Sequence, residues 1–278
     1  RIVGPGIDQF IPAQSPEITI TTTSIQDTST VTTSSITTTT VQPGQPNPMM
    51  LFHLDESTSP FADSIGNAEG ICTDACPSTT AGVLNGALSF DNSIVTINQN
   101  SLISEVGSIE LWLKTYDASR MQIVFYTGCN DASAGWPEGR CKGDSSNGFG
   151  GTQELEITIG NGQLLFLWDD EQKESTRIMH EITSNTWYHV VGVYKNGDYM
   201  KLYVNAELVA QNLSIPIFST TAQPLPAFSG THWYNISFIG MPPSDPSRNL
   251  FGDIDELRIY NYTLTDQEVL GAYNQYTR

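Results

Sequence analysis

From Met49 onward the chain is cut into short alternating or apolar runs by turns of Gly, Asn, Asp and Ser. That cadence leaves room for strands and almost none for helices, which need longer stretches of 3.6-residue periodicity. Candidate strands are Met50–Leu54, Ala87–Phe90, Ile94–Asn98, Ser108–Thr115, Gln122–Thr127, Leu155–Ile159, Gln163–Trp168, Trp187–Tyr194, Lys201–Asn205, Glu207–Gln211, Ile236–Ile239 and Ile254–Tyr260. Asn161-Gly162 and Asn196-Gly197 each read as a two-residue hairpin turn. Thr265, with Glu268 three residues on, forms a capping box that starts a single helix over Asp266–Gln275. The pattern predicts an all-β fold: an antiparallel jelly-roll sandwich with one short C-terminal helix and an extended N-terminal β-arm.

The arm occupies residues 1–42. Between residues 18 and 42, sixteen of twenty-five positions are Thr or Ser, and Asp27 is the only charge. Isolated aliphatics recur at Ile18, Ile20, Ile25, Val31, Ile36 and Val41. A β-branched run loses rotamer freedom in a helix and packs well in a strand, so the segment favours extended backbone. Residues 43–48, rich in Pro, form a stiff linker, and 49–278 form the sandwich. Three uses of the arm follow: strand addition to a neighbouring subunit, packing on its own domain, or a Thr-rich stalk.

Thirty acidic residues against 12 basic give a net charge of −18. A field of that sign repels phosphate backbones and anionic lipid, which argues against nucleic acid as a partner. No apolar run is long enough to insert in a membrane. Four cysteines allow three pairings, and the local one, Cys72–Cys76 with Cys129–Cys141, closes the shortest loops. A CxxxC with a distant pair also resembles a metal site, but no His adjoins either pair. Disulfides imply an oxidising compartment, hence an extracellular or cell-surface location.

Four segments, in order, resemble the laminin-G-like (concanavalin A-like) family. They are Leu51-Phe52-His53-Leu54-Asp55-Glu56 with the loop Asp63-Ser64-Ile65-Gly66-Asn67; Gly86-Ala87-Leu88-Ser89-Phe90-Asp91; Trp187 to Tyr194 with Leu202-Tyr203-Val204-Asn205; and the closing strand Phe251–Tyr260 running into the capped helix. The sequence departs from the pattern at Ala206, where the family has Gly, and in a long polar insertion over 128–152. The resemblance implies a structural calcium where the opening loop meets the closing strand, with Asp63, Asn67, Asp253 and Asp255 in the matching positions. The alternative is that Asp63 and Asn67 cap turns and Asp255 bonds a loop.

Glucanases on related sandwiches use a carboxylate-bearing strand, and Asp253-Ile254-Asp255-Glu256 is superficially similar. Strict strand alternation turns Glu256 away from Asp253 and Asp255, so the three cannot converge. Glu154 and Glu156 share a strand face without a third partner. His180-Glu181 lacks the second His of a zinc pair, Ser184 standing in its place. His189 lies in an apolar run and reads as a core histidine. No catalytic residue is expected, and the chain reads as a non-enzyme.

For sugars, the aromatics predicted to be exposed are Trp136, Trp233 and Tyr234, whereas Trp112, Trp168 and Trp187 fall in strands and read as core. Sequons at Asn212, Asn235 and Asn261 are candidate glycosylation sites, though a chain this rich in Ser and Thr produces some by chance. The role expected from these features is a structural one. The chain would be a subunit of an extracellular filament or surface layer, joined to other copies of itself by its arm. The rival is a carbohydrate-binding adhesin module that meets cell-surface glycans from a Thr-rich stalk.

Overall fold

The computed structural model describes residues 46–72, 75–98, 102, 104–128, 153–170, 174–217, 236–240 and 246–277. The arm, the Cys129–Cys141 pair, Trp136, Trp233, Tyr234 and Asn235 lie outside the described residues. The strands are β1 (Met50–Phe52), β2 (Phe61–Ala62), β3 (Glu69–Ile71), β4 (Ser78–Ala81), β5 (Gly86–Asp91), β6 (Val95–Ile97), β7 (Val106–Thr115) and β8 (Gln122–Gly128). They continue with β9 (Gln153–Gly160), β10 (Gln163–Asp170), β11 (Glu174–Glu181), β12 (Tyr188–Lys195), β13 (Tyr199–Val204), β14 (Glu207–Asn212), β15 (Ile236–Ile239) and β16 (Phe251–Tyr260). One helix, α1 (Asp266–Asn274), follows.

Among the described residues, two eight-stranded antiparallel sheets result. The front sheet runs β14-β13-β12-β7-β16-β5-β4, with β1 also paired to β16, and the back sheet runs β11-β10-β9-β8-β15-β6-β3-β2. The far edge of β16 is shared: its first half pairs with β5 and its second half with β1. This is the jelly-roll sandwich that the strand cadence predicts. Between the sheets, inward residues such as Leu88, Leu113, Ile254 and Leu257 from the front meet Phe125, Ile157, Phe166 and Trp168 from the back, all buried. A second apolar cluster lies on the other side of the front sheet, where Val191, Val193, Tyr203, Tyr260 and Leu264 pack with Val269 of α1.

Helix α1 starts as its capping box predicts. The Glu268 amide donates to Thr265 Oγ1 at 3.3 Å, and the Thr265 amide donates to Glu268 Oε2 at 2.8 Å. Tyr203 donates to Asp266 Oδ1 at 2.6 Å, which fixes the first turn against β13. Close to the helix start, the chain is held as early as Asn47, whose amide donates to the Tyr262 hydroxyl at 3.1 Å. Cys72 and Cys76 form the short-loop disulfide.

Turn chemistry differs from expectation at one of the two Asn-Gly pairs. Asn161-Gly162 makes the expected two-residue turn, both residues at positive φ. Asn196-Gly197 does not: Lys195 pairs with Tyr199, so three residues make the connection. Asn205-Ala206 closes the β13–β14 hairpin with both residues in the left-handed region, at φ 52° and 66°. An alanine there carries the Cβ penalty that glycine avoids. Ala206→Gly is therefore expected to stabilise the fold by ~0.5 to 1 kcal/mol in urea or thermal unfolding; destabilisation would contradict the turn assignment.

Candidate functional site

The outer face of the front sheet concentrates the polar chemistry of the molecule. Cross-strand register defines rows there, because residues directly opposite on antiparallel strands point the same way. One row holds Ser78, Ser89, Asp253 and Lys114, with Trp187 just ahead of β12. The next holds Asp255, Trp112 and His189. The third holds Arg258 and Glu110. Helix α1 and the residues after it cover the second and third rows, with Tyr273 stacked on Trp112 at 5.7 Å and Tyr276 edge-on at 5.8 Å.

Under that cover lies a buried ionic cluster. Arg258 donates to Glu110 Oε1 at 2.8 Å and to Glu256 Oε2 at 2.7 Å. Glu110 also takes the Tyr260 hydroxyl and His189 Nε2. Glu256 takes the Tyr276 hydroxyl at 2.8 Å and faces His53 Nδ1 at 2.6 Å. Burial by itself would raise the Glu110 pKa, but the Arg258 charge, with the His189 and Tyr260 bonds, outweighs it and holds the carboxyl at about 2. Burial and the Glu110 charge push the Tyr260 phenol up, so it stays protonated and donates.

Glu256 reaches this cluster because β16 bulges. Asp255 pairs with Trp112 and Arg258 with Glu110, so two residues of β16 stand against one of β7. Glu256 sits in the bulge at φ 53°. An extra residue breaks the alternation, so Glu256 lies on the same face as Asp255 and Arg258, not opposite as strict periodicity predicts. The three carboxylates of this stretch share a face but not a task. Glu256 is held by Arg258, Tyr276 and His53. Asp255 Oδ2 accepts the Val83 and Leu84 amides at 2.7 and 3.0 Å. Asp253 pairs with Lys114 at 2.5 Å and accepts the Tyr116 hydroxyl at 2.5 Å.

The residues placed by resemblance at a calcium site are distributed in the same way. Asp63 Oδ1 accepts the Leu51 and Ile65 amides at 3.0 and 3.2 Å, Asn67 is exposed, and Asp253 already faces a cation. Among the described residues, no group of three or more His, Cys, Asp or Glu is gathered to hold a metal.

Other sequence candidates fall as follows. Glu156 is buried and faces Arg248 at 3.7 Å. His189 is fully buried, as the apolar run predicts. Asn261 is exposed, while Asn212 is half-buried and accepts the Ser214 amide. Trp112 and Trp168 are buried as expected, but Trp187 is not: β12 begins one residue later, and the indole is half-exposed. The turn residues Ser184-Asn185-Thr186 immediately before it were the signal that it stands at a strand mouth.

A family model described as the concanavalin A-like lectin/glucanases superfamily matches residues 89–270. The chain belongs to that superfamily. No curated protein sequence matches it. Among solved structures, it is similar to the botulinum neurotoxin serotype D ligand binding domain in complex with N-acetylneuraminic acid, at TM-score 0.54 and 16% identity, over 82% of this chain and 50% of that one. The binding domain of Paraclostridial Mosquitocidal Protein 1 is also similar, at TM-score 0.53 and 15% identity, over 83% of this chain and 52% of that one. The chain spans about half the length of these structures, and the likeness is one of fold.

Two predictions come from the carboxylates. Arg258→Met leaves Glu110 and Glu256 buried without their cation and is expected to cost ~3 to 5 kcal/mol in chemical denaturation; a loss below ~1 kcal/mol would contradict the clamp. Asp255 has the opposite electrostatics. Burial pushes its carboxyl up to about 7, with Glu256 and Asp55 adding to the rise and the two amides opposing it. A carboxyl raised in the folded state binds its proton more tightly there, so its contribution is full below the unfolded value near ~3.9 and is lost as pH climbs to about 7. Asp255→Asn should therefore gain on the wild type across that window, by on the order of 2 kcal/mol. A gap that is flat with pH would contradict it.

Proposed function

We propose that this chain is an extracellular binding module that recognises glycans, not a hydrolase. The observation that carries the reading is the commitment of the front-sheet carboxylates. Glu110 and Glu256 are closed by Arg258, Asp253 by Lys114, and Asp255 is fully buried against the Val83 and Leu84 amides, out of reach of a substrate. A glycoside hydrolase needs one carboxyl free to donate a proton and another free to attack or to activate water. Carboxylates locked into ion pairs hold a sheet together instead. The superfamily of the matching model contains both lectins and glucanases, and the similar solved structures are binding domains, one of them in complex with N-acetylneuraminic acid. The disulfide fits an oxidising, extracellular setting.

The full chain applied to a glycan array should retain at least one glycan class. Incubation with the matching polysaccharide should release no reducing ends. Release of reducing ends would contradict the reading, as would an array without binding.

A second reading, polymerisation by strand addition, is favoured by β11. All eight of its residues pair with β10, and among the described residues no strand pairs with its other edge. An unbroken edge of that length is a template for an incoming strand, and residues 18–42 have the β-branched composition to provide one. Removing residues 1–42 would then abolish fibres in electron micrographs. Fibres formed by the truncated chain would rule out the arm as the linker.

A further inference from the structure

We infer that the uncovered end of the front sheet's outer face is a saccharide subsite, lined by Trp187, Tyr116, Lys114 and Ser89 above the buried Asp253, that takes a neutral pyranose. The inference rests on the glycan-binding reading and gives it an address.

The geometry begins with register. Trp187, Lys114, Asp253 and Ser89 stand in one cross-strand row, and helix α1 packs on the rows beyond it. Lys114 Nζ lies 4.9 Å from the centre of the Trp187 ring and 5.5 Å from that of Tyr116. Its charge is met by Asp253 Oδ2 at 2.5 Å. Tyr116 follows the end of β7, donates a hydrogen bond to Asp253 Oδ1 and lies 3.4 Å from Ser89 Oγ. Phe251 braces Tyr116 edge-on at 5.1 Å.

Three properties of this row suit a sugar. Trp187 is half-exposed, which leaves indole surface for the C–H face of a pyranose. Lys114 and Ser89, both half-buried, offer an ammonium donor and a hydroxyl that donates or accepts, while the fully buried Asp253 braces Lys114 from beneath. Tyr116 and Lys114 are held by several partners each, so little side-chain freedom remains to be lost when a ligand binds. Charge selects the class. The Lys114 cation is already neutralised by Asp253, and the chain carries −18 overall, so nothing in the row compensates an anionic sugar.

The experiment uses the full chain and an array carrying neutral mannan, β-glucan and galactan oligosaccharides, with sialylated and sulfated glycans as the anionic arm. Binding to a neutral oligosaccharide is expected. Trp187→Ala should weaken it at least ten-fold while Trp136→Ala and Trp233→Ala leave it unchanged, and Trp187→Phe should recover part of the loss. Lys114→Met, read with the melting temperature, provides an independent variant should Trp187→Ala fold poorly, and it too should lose at least ten-fold. Neutral-sugar binding that survives both Trp187→Ala and Lys114→Met, but falls with Trp136→Ala or Trp233→Ala, would overturn this subsite and leave the glycan reading intact. Binding confined to anionic glycans would overturn the neutral assignment. No binding to any glycan would overturn both.

Discussion

One arginine between two buried glutamates organises the front sheet. Arg258 on β16 bonds Glu110 on β7 and Glu256 in its own bulge, and the surrounding hydroxyls and imidazoles take the remaining lone pairs. The arrangement is all or nothing. Two carboxylates cannot sit under a helix without a cation, and a buried cation cannot sit there without them. The bulge is what makes it possible, since an unbulged strand would carry Glu256 to the apolar interior between the sheets. The same bulge leaves Asp255 to cap the 83–84 loop, and the cluster ties Tyr276, just beyond α1, to the sheet.

Covering half of a sheet with a helix has a functional consequence. The rows under α1 are used for stability: aromatic stacking on Trp112, the Glu–Arg–Glu clamp and the Val191–Val269 cluster. The row beyond the helix keeps the same polar character but only partial cover. Trp187, Tyr116 and Lys114 are half-buried there, not sealed. A jelly roll offers many surfaces, and fold by itself selects none of them. Here the choice is narrowed by what the helix leaves open.

Much of the fold was legible because strand and turn signals are local. The hydrophobic runs marked the central strands, the Thr265–Glu268 box marked the helix, and four ordered motifs marked the family. Four strands carry no clear sequence signal: β2 and β3, which are only two and three residues long, and the polar β4 and β11. β4 reads Ser-Thr-Thr-Ala, and β11 buries only Thr176 and Ile178 among its described side chains, so neither has a strong apolar alternation. Edge strands face solvent on one side and need little hydrophobicity, which is why composition fails there. The carboxylates were harder still. Alternation sends Glu256 to the wrong face because a bulge has no composition signature, and the partners of Asp253 and Glu110 are distant in sequence. Trp187 falls one residue short of β12, because the turn over Ser184-Asn185-Thr186 delays the start of the strand.

The central claim is that the helix-free end of the front sheet is the binding surface, and hydrogen–deuterium exchange of the full chain tests it most directly. Saturating the protein with the neutral oligosaccharide that gives the strongest array signal should slow exchange in the peptides spanning 112–117, 186–189 and 251–254, and leave those of β11 unchanged. Protection confined to 129–152 or 218–235, with the front-sheet peptides unaltered, would contradict it.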